Sequence, residues 1–366
     1  MIYLDHNATT PLDPRVLEAM LPYLTTLYGN PSSLYRLGRI ARSAIDTARE
    51  QLASLIDANP ANIIFTSGGT EANNLALANA GNQNLWISAI EHPSVFEFAE
   101  SLPQPLSRLA VNPAGLIDLQ KFAAEPIQSG DFVSIMLANN ETGAIQPIAE
   151  IARLLANRGI SFHTDAVQAL GKIPMSFKQL GVQMMSLSSH KIYGPKACGA
   201  LVVSDEIRLQ ARQRGGEQEH GLRAGTENIA AIVGFGKAAE LAQQALSERN
   251  QKILALKTEL EQQLLSLPNL VIFSEHSPRL PNTVQFAVEG LSGEMLLMQL
   301  DQKSIAVSSG SACASGSEAI SPVLAAMSIK PSLAKAAIRV SLGKDNTEQD
   351  IHQFVSILKT LLRVTQ

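Results

Sequence analysis

The chain has 366 residues, 45% of them hydrophobic and 17% charged, with a net charge of -4. That is ample material for a core, too little charge for disorder, and a length suited to two domains or to one large domain with an appendage. The acidic balance and the lack of a Lys/Arg-rich run argue against a nucleic-acid surface, and no run of about 18 apolar residues marks a membrane span. The two cysteines, Cys198 and Cys313, are too few for a disulfide framework or a cysteine metal site. So few cysteines suggest a reducing setting, hence the cytoplasm, and Met1 to Thr10 lacks the basic and apolar regions of a signal peptide.

The start, Ile2-Tyr3-Leu4-Asp5-His6, reads as a short strand running into a polar turn. Arg15 to Leu24 and Arg36 to Leu55 read as helices, separated by a loop at Tyr28 to Ser33. Ile63 to Thr66 reads as a strand and Glu71 to Ala80 as a helix. Further strands are expected at Leu85 to Ala89, Phe132 to Ala138, Ile160 to His163, Met184 to Leu187 and Ala200 to Val203, with helices between several of them, such as Ile148 to Asn157. This alternation predicts an α/β fold with a mostly parallel central sheet. Ile229 to Leu267 is almost continuously helical. After Pro268, short strands at Val271 to Phe273, Thr283 to Ala287, Ile305 to Val307 and Ala337 to Ser341 alternate with helices and suggest a smaller α+β domain.

In open parallel sheets, ligands sit beyond the carboxyl ends of the strands. Here those ends carry chemistry. The first leads through Gly68-Gly69-Thr70-Glu71 into a helix, a setting for phosphate or an ordinary turn capped by Thr70. The others lead to Glu91-His92, Asn139-Asn140, Asp165 with Gln168, and Ser188-Ser189-His190-Lys191. Each has a plain explanation by itself: a histidine near a helix start, a turn, a helix cap, a solvated lysine. Together they offer a phosphate cradle, an imidazole, an amide, a carboxylate and an amine. Those parts hold a phosphorylated heteroaromatic aldehyde, with the lysine forming the imine and the aspartate keeping the ring nitrogen protonated.

Several motifs are long and specific. They are Gly29-Asn30-Pro31-Ser32-Ser33, Thr66-Ser67-Gly68-Gly69-Thr70-Glu71-Ala72-Asn73-Asn74, His163-Thr164-Asp165-Ala166-Val167-Gln168, Ser189-His190-Lys191-Ile192-Tyr193-Gly194-Pro195-Lys196 and Ser308-Ser309-Gly310-Ser311-Ala312-Cys313. On these the chain resembles, nearly end to end, the cysteine desulfurases of the NifS/IscS type within the class V aminotransferase group of fold-type I pyridoxal phosphate enzymes.

The resemblance implies a large pyridoxal phosphate domain over residues 15–247, and a small domain formed by 1–14 and 248–366 that carries a mobile cysteine loop at about 308–322. It implies that Lys191 binds pyridoxal 5'-phosphate. Gly69, Thr70, Ser188 and His190 would hold the phosphate, His92 would stack on the ring, Asp165 would pair with the ring nitrogen, and Gln168 with the ring oxygen. Asn140 and Arg339 would meet the substrate carboxylate. Thr226 would reach the phosphate of a neighbouring subunit, hence a homodimer. Cys313 would take sulfur from L-cysteine as a persulfide, leaving alanine, and pass it to an acceptor protein such as an iron–sulfur scaffold. Lys191 and His92 would move protons. No metal is implied in the cofactor site, though Cys313 could serve as a transient iron–sulfur ligand.

The residues around Cys313 agree with such a role, since Ser308 to Ala312 and Ala314 to Ser317 contain no large side chain and cannot pack tightly. Cys198 reads as a structural thiol. Alternatives are a selenocysteine lyase or another class V lyase or aminotransferase, a metal protein using His6, His92, His163 and His190, and a non-enzymatic sulfur-transfer scaffold. The histidine spacings match no usual ligand pattern, and a scaffold leaves the Lys191 constellation unexplained.

Overall fold

A computed structural model describes residues 1–81, 83–309 and 320–364. Strand β1 (Ile2–Tyr3) opens the chain. The central sheet follows: β2 (Ile63–Thr66), β3 (Leu85–Ser88), β4 (Leu106–Leu109), β5 (Phe132–Ser134), β6 (Ser161–Asp165), β7 (Met184–Ser188) and β8 (Gly199–Val203). Its order is β2-β8-β7-β6-β5-β3-β4. All neighbours pair in parallel except β8, which runs antiparallel to both β2 and β7. The two strands that carry Gly69 and Lys191 beyond their ends are therefore not neighbours, but a reversed strand between them keeps their carboxyl ends on one side. A second sheet joins β9 (Leu270–Ile272), β10 (Thr283–Val288) and β12 (Ala337–Ser341) in antiparallel order β12-β10-β9. Strand β11 (Ile305–Ala306) pairs in parallel with β1, tying the first residues to the last third of the chain.

Strands β2, β3, β5, β7 and β8 are buried along their whole length, as a sheet covered on both faces requires. The covering helices owe their positions to spacing. In the helix Arg36–Ile56, Ala41, Ile45, Ala48, Leu52 and Ile56 recur three or four apart and are buried. Each large aliphatic among them contributes roughly 1.5–3 kcal/mol by leaving water. The helix ends at Asp57, which turns to a left-handed φ of 49°. The helix Ile229–Leu265 packs on it so closely that a Cβ on Gly236 would sit 2.5 Å from Ala48 Cα. Its first half lays Phe235 and Ala239 on the core of the central sheet; its second half lays Ile253, Leu256 and Leu260 on a separate core with Phe286 and Phe354.

The sequence expectations hold in outline and miss at element ends. The helix expected from Glu71 starts two residues earlier, as Gly69–Leu77, because Gly68 supplies a φ of 154° that only glycine adopts freely. Strands β6 and β7 continue through Asp165 and Ser188, so those polar residues belong to the strands. Strand β5 stops at Ser134, where the ladder ends although the chain stays buried to Asn139. The helix expected to Asn157 is Ile148–Leu155, and Asn157 has φ 60°. Strand β4 was not anticipated; its sequence, Leu-Ser-Arg-Leu, is half polar because it lies at the sheet edge.

Candidate active site

The strand ends converge on one cavity of about 250 Å³. Gly69, Thr70, His92, Asn140, Asp165, Gln168, Ser188, His190 and Lys191 all line it. Each reaches it for a local reason. The helix Gly69–Leu77 begins at the rim, where its first N–H groups have no partner within the helix. A side chain on Gly69 would meet Val167 Cγ2 at 2.9 Å and approach Ser188 Cβ at 3.6 Å, so the bare backbone is what leaves room for a ligand group.

Asp165, at the end of β6, is buried and oriented from two sides. Its Oδ2 accepts from Asn73 Nδ2 at 2.7 Å and its Oδ1 from the Val167 backbone N–H at 2.9 Å. His92 caps the helix Pro93–Ser101: its Nδ1 accepts from the Ser94 backbone N–H at 3.1 Å and lies 2.8 Å from Ser94 Oγ. That leaves Nε2 for the cavity. Burial lowers the His92 pKa, Asp165 opposes the shift and Lys191 adds to it, so the ring is held neutral. His190 is pushed down to about 4 by burial and by Lys191, Lys196 and Lys172, and its Nδ1 lies 3.1 Å from Thr9 Oγ1. Lys191 Nζ donates to the carbonyls of Asn7 at 2.5 Å and Ala8 at 2.7 Å.

The remaining expected residues fall elsewhere. Arg339 stands behind Asn140 rather than in the wall: it donates to the Asn140 carbonyl at 3.0 Å and to Asp5 Oδ1 at 2.6 Å. Among the described residues, its buried Nε has no hydrogen-bond partner. Thr226 is exposed and does not line this chain's own cavity. Cys313 lies outside the described residues, as does 310–319 of the expected cysteine loop. Cys198 is buried, and burial pushes its thiol pKa far up, the profile of an inert thiol.

Sequence reasoning missed the residues that support the site. Asn7 and Asn73 are buried and bond to its lining groups. Glu91, the residue before His92, is buried, its Oε1 accepting from Ser88 Oγ at 2.5 Å and the Met136 N–H at 2.7 Å, and burial raises it to about 8. Lys172 touches Gln168 and Asn7. Its signal was available: a lysine four residues after Gln168, beside the apolar Leu170 and Ile173.

Fold and site together have the arrangement of the aminotransferase-like α/β enzymes, with one lysine, Lys191, beyond a strand end in the wall of the cavity. Residues 2–354 match the family described as Aminotransferase class-V. The chain is 42% identical to a cysteine desulfurase of Trichormus azollae, over 99% of this chain and 93% of that one. It is also 42% identical to the human cysteine desulfurase, over 96% of this chain and 79% of the relative. Among solved structures it superposes on a NifS-like protein from Rickettsia africae with a TM-score of 0.92 and 38% identity, covering 99% of each chain. It superposes on SspA in complex with cysteine with a TM-score of 0.83 and 31% identity, covering 95% of this chain and all of that one. The chain belongs to the class V aminotransferase family, a family of pyridoxal phosphate enzymes, and within it to the cysteine desulfurases.

Proposed function

We propose that this chain removes sulfur from L-cysteine, leaving L-alanine, with pyridoxal 5'-phosphate held in the cavity at Lys191. The observation that carries this reading is the meeting of Lys191, Asp165, Gln168, His92 and the Gly69 helix start around one space of about 250 Å³. The donor set fits the cofactor. Gly69, Thr70, Ser188 and His190 would hold the phosphate, Lys191 the aldehyde carbon, Asp165 the ring nitrogen and Gln168 the ring oxygen. When bound, the cofactor supplies an electron sink for the bonds at the substrate α-carbon.

The chain's own residues do the rest. Asp165, oriented by Asn73 and Val167, keeps a proton on the ring nitrogen. Lys191 Nζ takes and returns the α-proton. His92, held neutral, is a base from the start and carries a proton near the sulfur. Arg339, which donates to the Asn140 carbonyl and to Asp5, keeps further guanidinium N–H groups for a substrate carboxylate, beside Asn140 in the cavity wall. At Cys313 an S–S bond forms as the substrate C–S bond breaks; the substrate's β-carbon takes a proton and leaves as the methyl of alanine. The persulfide then passes to an acceptor protein such as an iron–sulfur scaffold.

The reading extends to a homodimer in which Thr226 contacts the partner's phosphate, consistent with its exposure. It also extends to a cytoplasmic setting; among the described residues no helix is long and apolar enough to cross a membrane. The division into 15–247 against 1–14 with 248–366 is supported by the two separate cores that the helix Ile229–Leu265 bridges. Cysteine, rather than selenocysteine, is favoured as substrate because the relatives that are 42% identical are cysteine desulfurases.

The test is spectroscopic. Purified protein given pyridoxal phosphate should turn yellow, and borohydride should bleach it and leave the cofactor's mass on the peptide bearing Lys191. Lys191→Ala should show neither change; mass on another lysine would contradict the assignment.

A further inference from the structure

Lys172 lies beside the cavity without lining it, and nothing in the proposed reaction uses it. Its Nζ donates to Gln168 Oε1 at 2.8 Å and to Asn7 Oδ1 at 2.9 Å. Burial, then Lys191, Arg339 and Arg249, push its pKa well below the ordinary lysine value. The charged and titratable groups that face it are those three cations, with His6 and His190, both of which its charge disfavours as imidazolium ions. Charged or neutral, a lysine nitrogen has at least two N–H donors, and two acceptors are in place for them.

Those bonds decide which way two amides point. A glutamine amide has an accepting end and a donating end, and its neighbours set which faces where. Because Oε1 of Gln168 is turned to Lys172, Nε2 is turned the other way, where it donates to the Asn7 carbonyl at 3.0 Å and keeps a second N–H. The Asn7 carbonyl is also an acceptor for Lys191 Nζ. Asn7 Oδ1 takes Lys172 on one side and Asn282 Nδ2 at 3.0 Å on the other, which leaves Asn7 Nδ2 to hold Thr283 Oγ1 and the Asn140 carbonyl.

We propose that Lys172 is a positioning residue for the ring-oxygen side of the cavity: it fixes the Gln168 amide so that Nε2 is the end offered to an anionic ring oxygen. The inference rests on the cofactor reading above. Without Lys172, only the bond from Nε2 to the Asn7 carbonyl orients the amide, so the flipped form, whose oxygen meets the ring oxygen and repels it, gains population.

The experiment is an absorbance titration of the apo-protein with pyridoxal phosphate, for the parent, Lys172→Met, Gln168→Leu and the double variant. Either single change is expected to weaken binding by about tenfold, the scale of one charge-assisted hydrogen bond. The double variant should bind no more weakly than Gln168→Leu alone, and Lys172→Met should share the shifted band of Gln168→Leu. A purely structural lysine would add its loss in the double variant, and that additivity overturns the proposal, as does parent-like binding by Lys172→Met. If circular dichroism shows Lys172→Met unfolded, Lys172→Gln takes its place with the same expectations. A parent that develops no band overturns the cofactor reading and this inference together, whereas a yellow parent with an unaltered Lys172 variant overturns this inference alone.

Discussion

Asn73 and Asp165, 92 positions apart in the chain, are joined by a buried hydrogen bond of 2.7 Å, with Asn73 Nδ2 donating to Asp165 Oδ2. Asn73 lies one turn into the helix that begins at Gly69, so the helix proposed to hold the phosphate also orients the carboxylate proposed for the ring nitrogen. In the proposed reading, the phosphate cradle and the ring anchor are thereby coupled.

From that coupling, Asp165→Asn should keep cofactor binding but lower turnover by roughly 10²–10⁴-fold, the range for a lost proton-holding group. Asn73→Ala should act in the same direction but less, since the Val167 N–H still holds the other oxygen. Single-turnover kinetics on both variants check this. Turnover near the parent rate in Asp165→Asn would mean the carboxylate is not the ring partner.

Stability should fall on the acid side. His6, His163 and His190 have folded pKa values of about 4, 3 and 4, each lowered first by burial. The unfolded chain, with imidazoles near 6.5, binds more protons than the folded one between those values and 6.5. The stability they confer is present above pH 6.5 and is lost as the pH falls toward 4. Glu91, raised to about 8, and Glu141, also raised by burial, act in the opposite sense, but against them stand the three rings and His92, which burial lowers as well. Melting of the apo-protein should therefore move to lower temperature from pH 6.5 to 4.5; a midpoint that holds steady or rises over that window contradicts the burial of these rings as neutral groups.

Glu219 should matter far more than its place in a loop suggests. It pairs bidentately with Arg49 at 2.8 and 3.0 Å, accepts from the Phe65 N–H at 2.9 Å, and sits at a left-handed φ of 46°. Both charged side chains are nearly buried, at 8% and 2% exposure, so removing one strands the other. Glu219→Ala should cost about 3–5 kcal/mol in urea unfolding. It should also loosen the segment running on to Thr226, and a cost under about 1 kcal/mol would show the pair to be dispensable.

Much of this architecture was legible in the chain. Periodic apolar spacing marked the helix Arg36–Ile56, and short apolar runs marked β2, β3, β6 and β7. Polar residues at the strand ends marked the site, because a buried carboxylate or lysine in an apolar context needs a partner. What stayed hidden depended on distant contacts. Asn7 reads as a turn residue, yet its side chain meets Thr283 and Asn282. The reversal of β8 between β2 and β7 is likewise a matter of pairing, since a fully buried strand such as Gly-Ala-Leu-Val-Val reads the same in either direction. Arg339 is expected at the substrate carboxylate; its bonds to Asp5 and Asn140 follow from no local pattern, since they depend on the chain's start lying beside β12.

The most direct test of the whole account is to count products from L-cysteine. Holoenzyme with a thiol reductant should release alanine and sulfide in equal amounts. Cys198→Ala, which removes a buried thiol far from any nucleophilic state, should do the same. Cys313→Ser should stay yellow and release neither. Alanine formation by Cys313→Ser at the parent rate, or loss of it in a folded Cys198→Ala, would contradict the assignment of the sulfur-accepting residue on which the account depends.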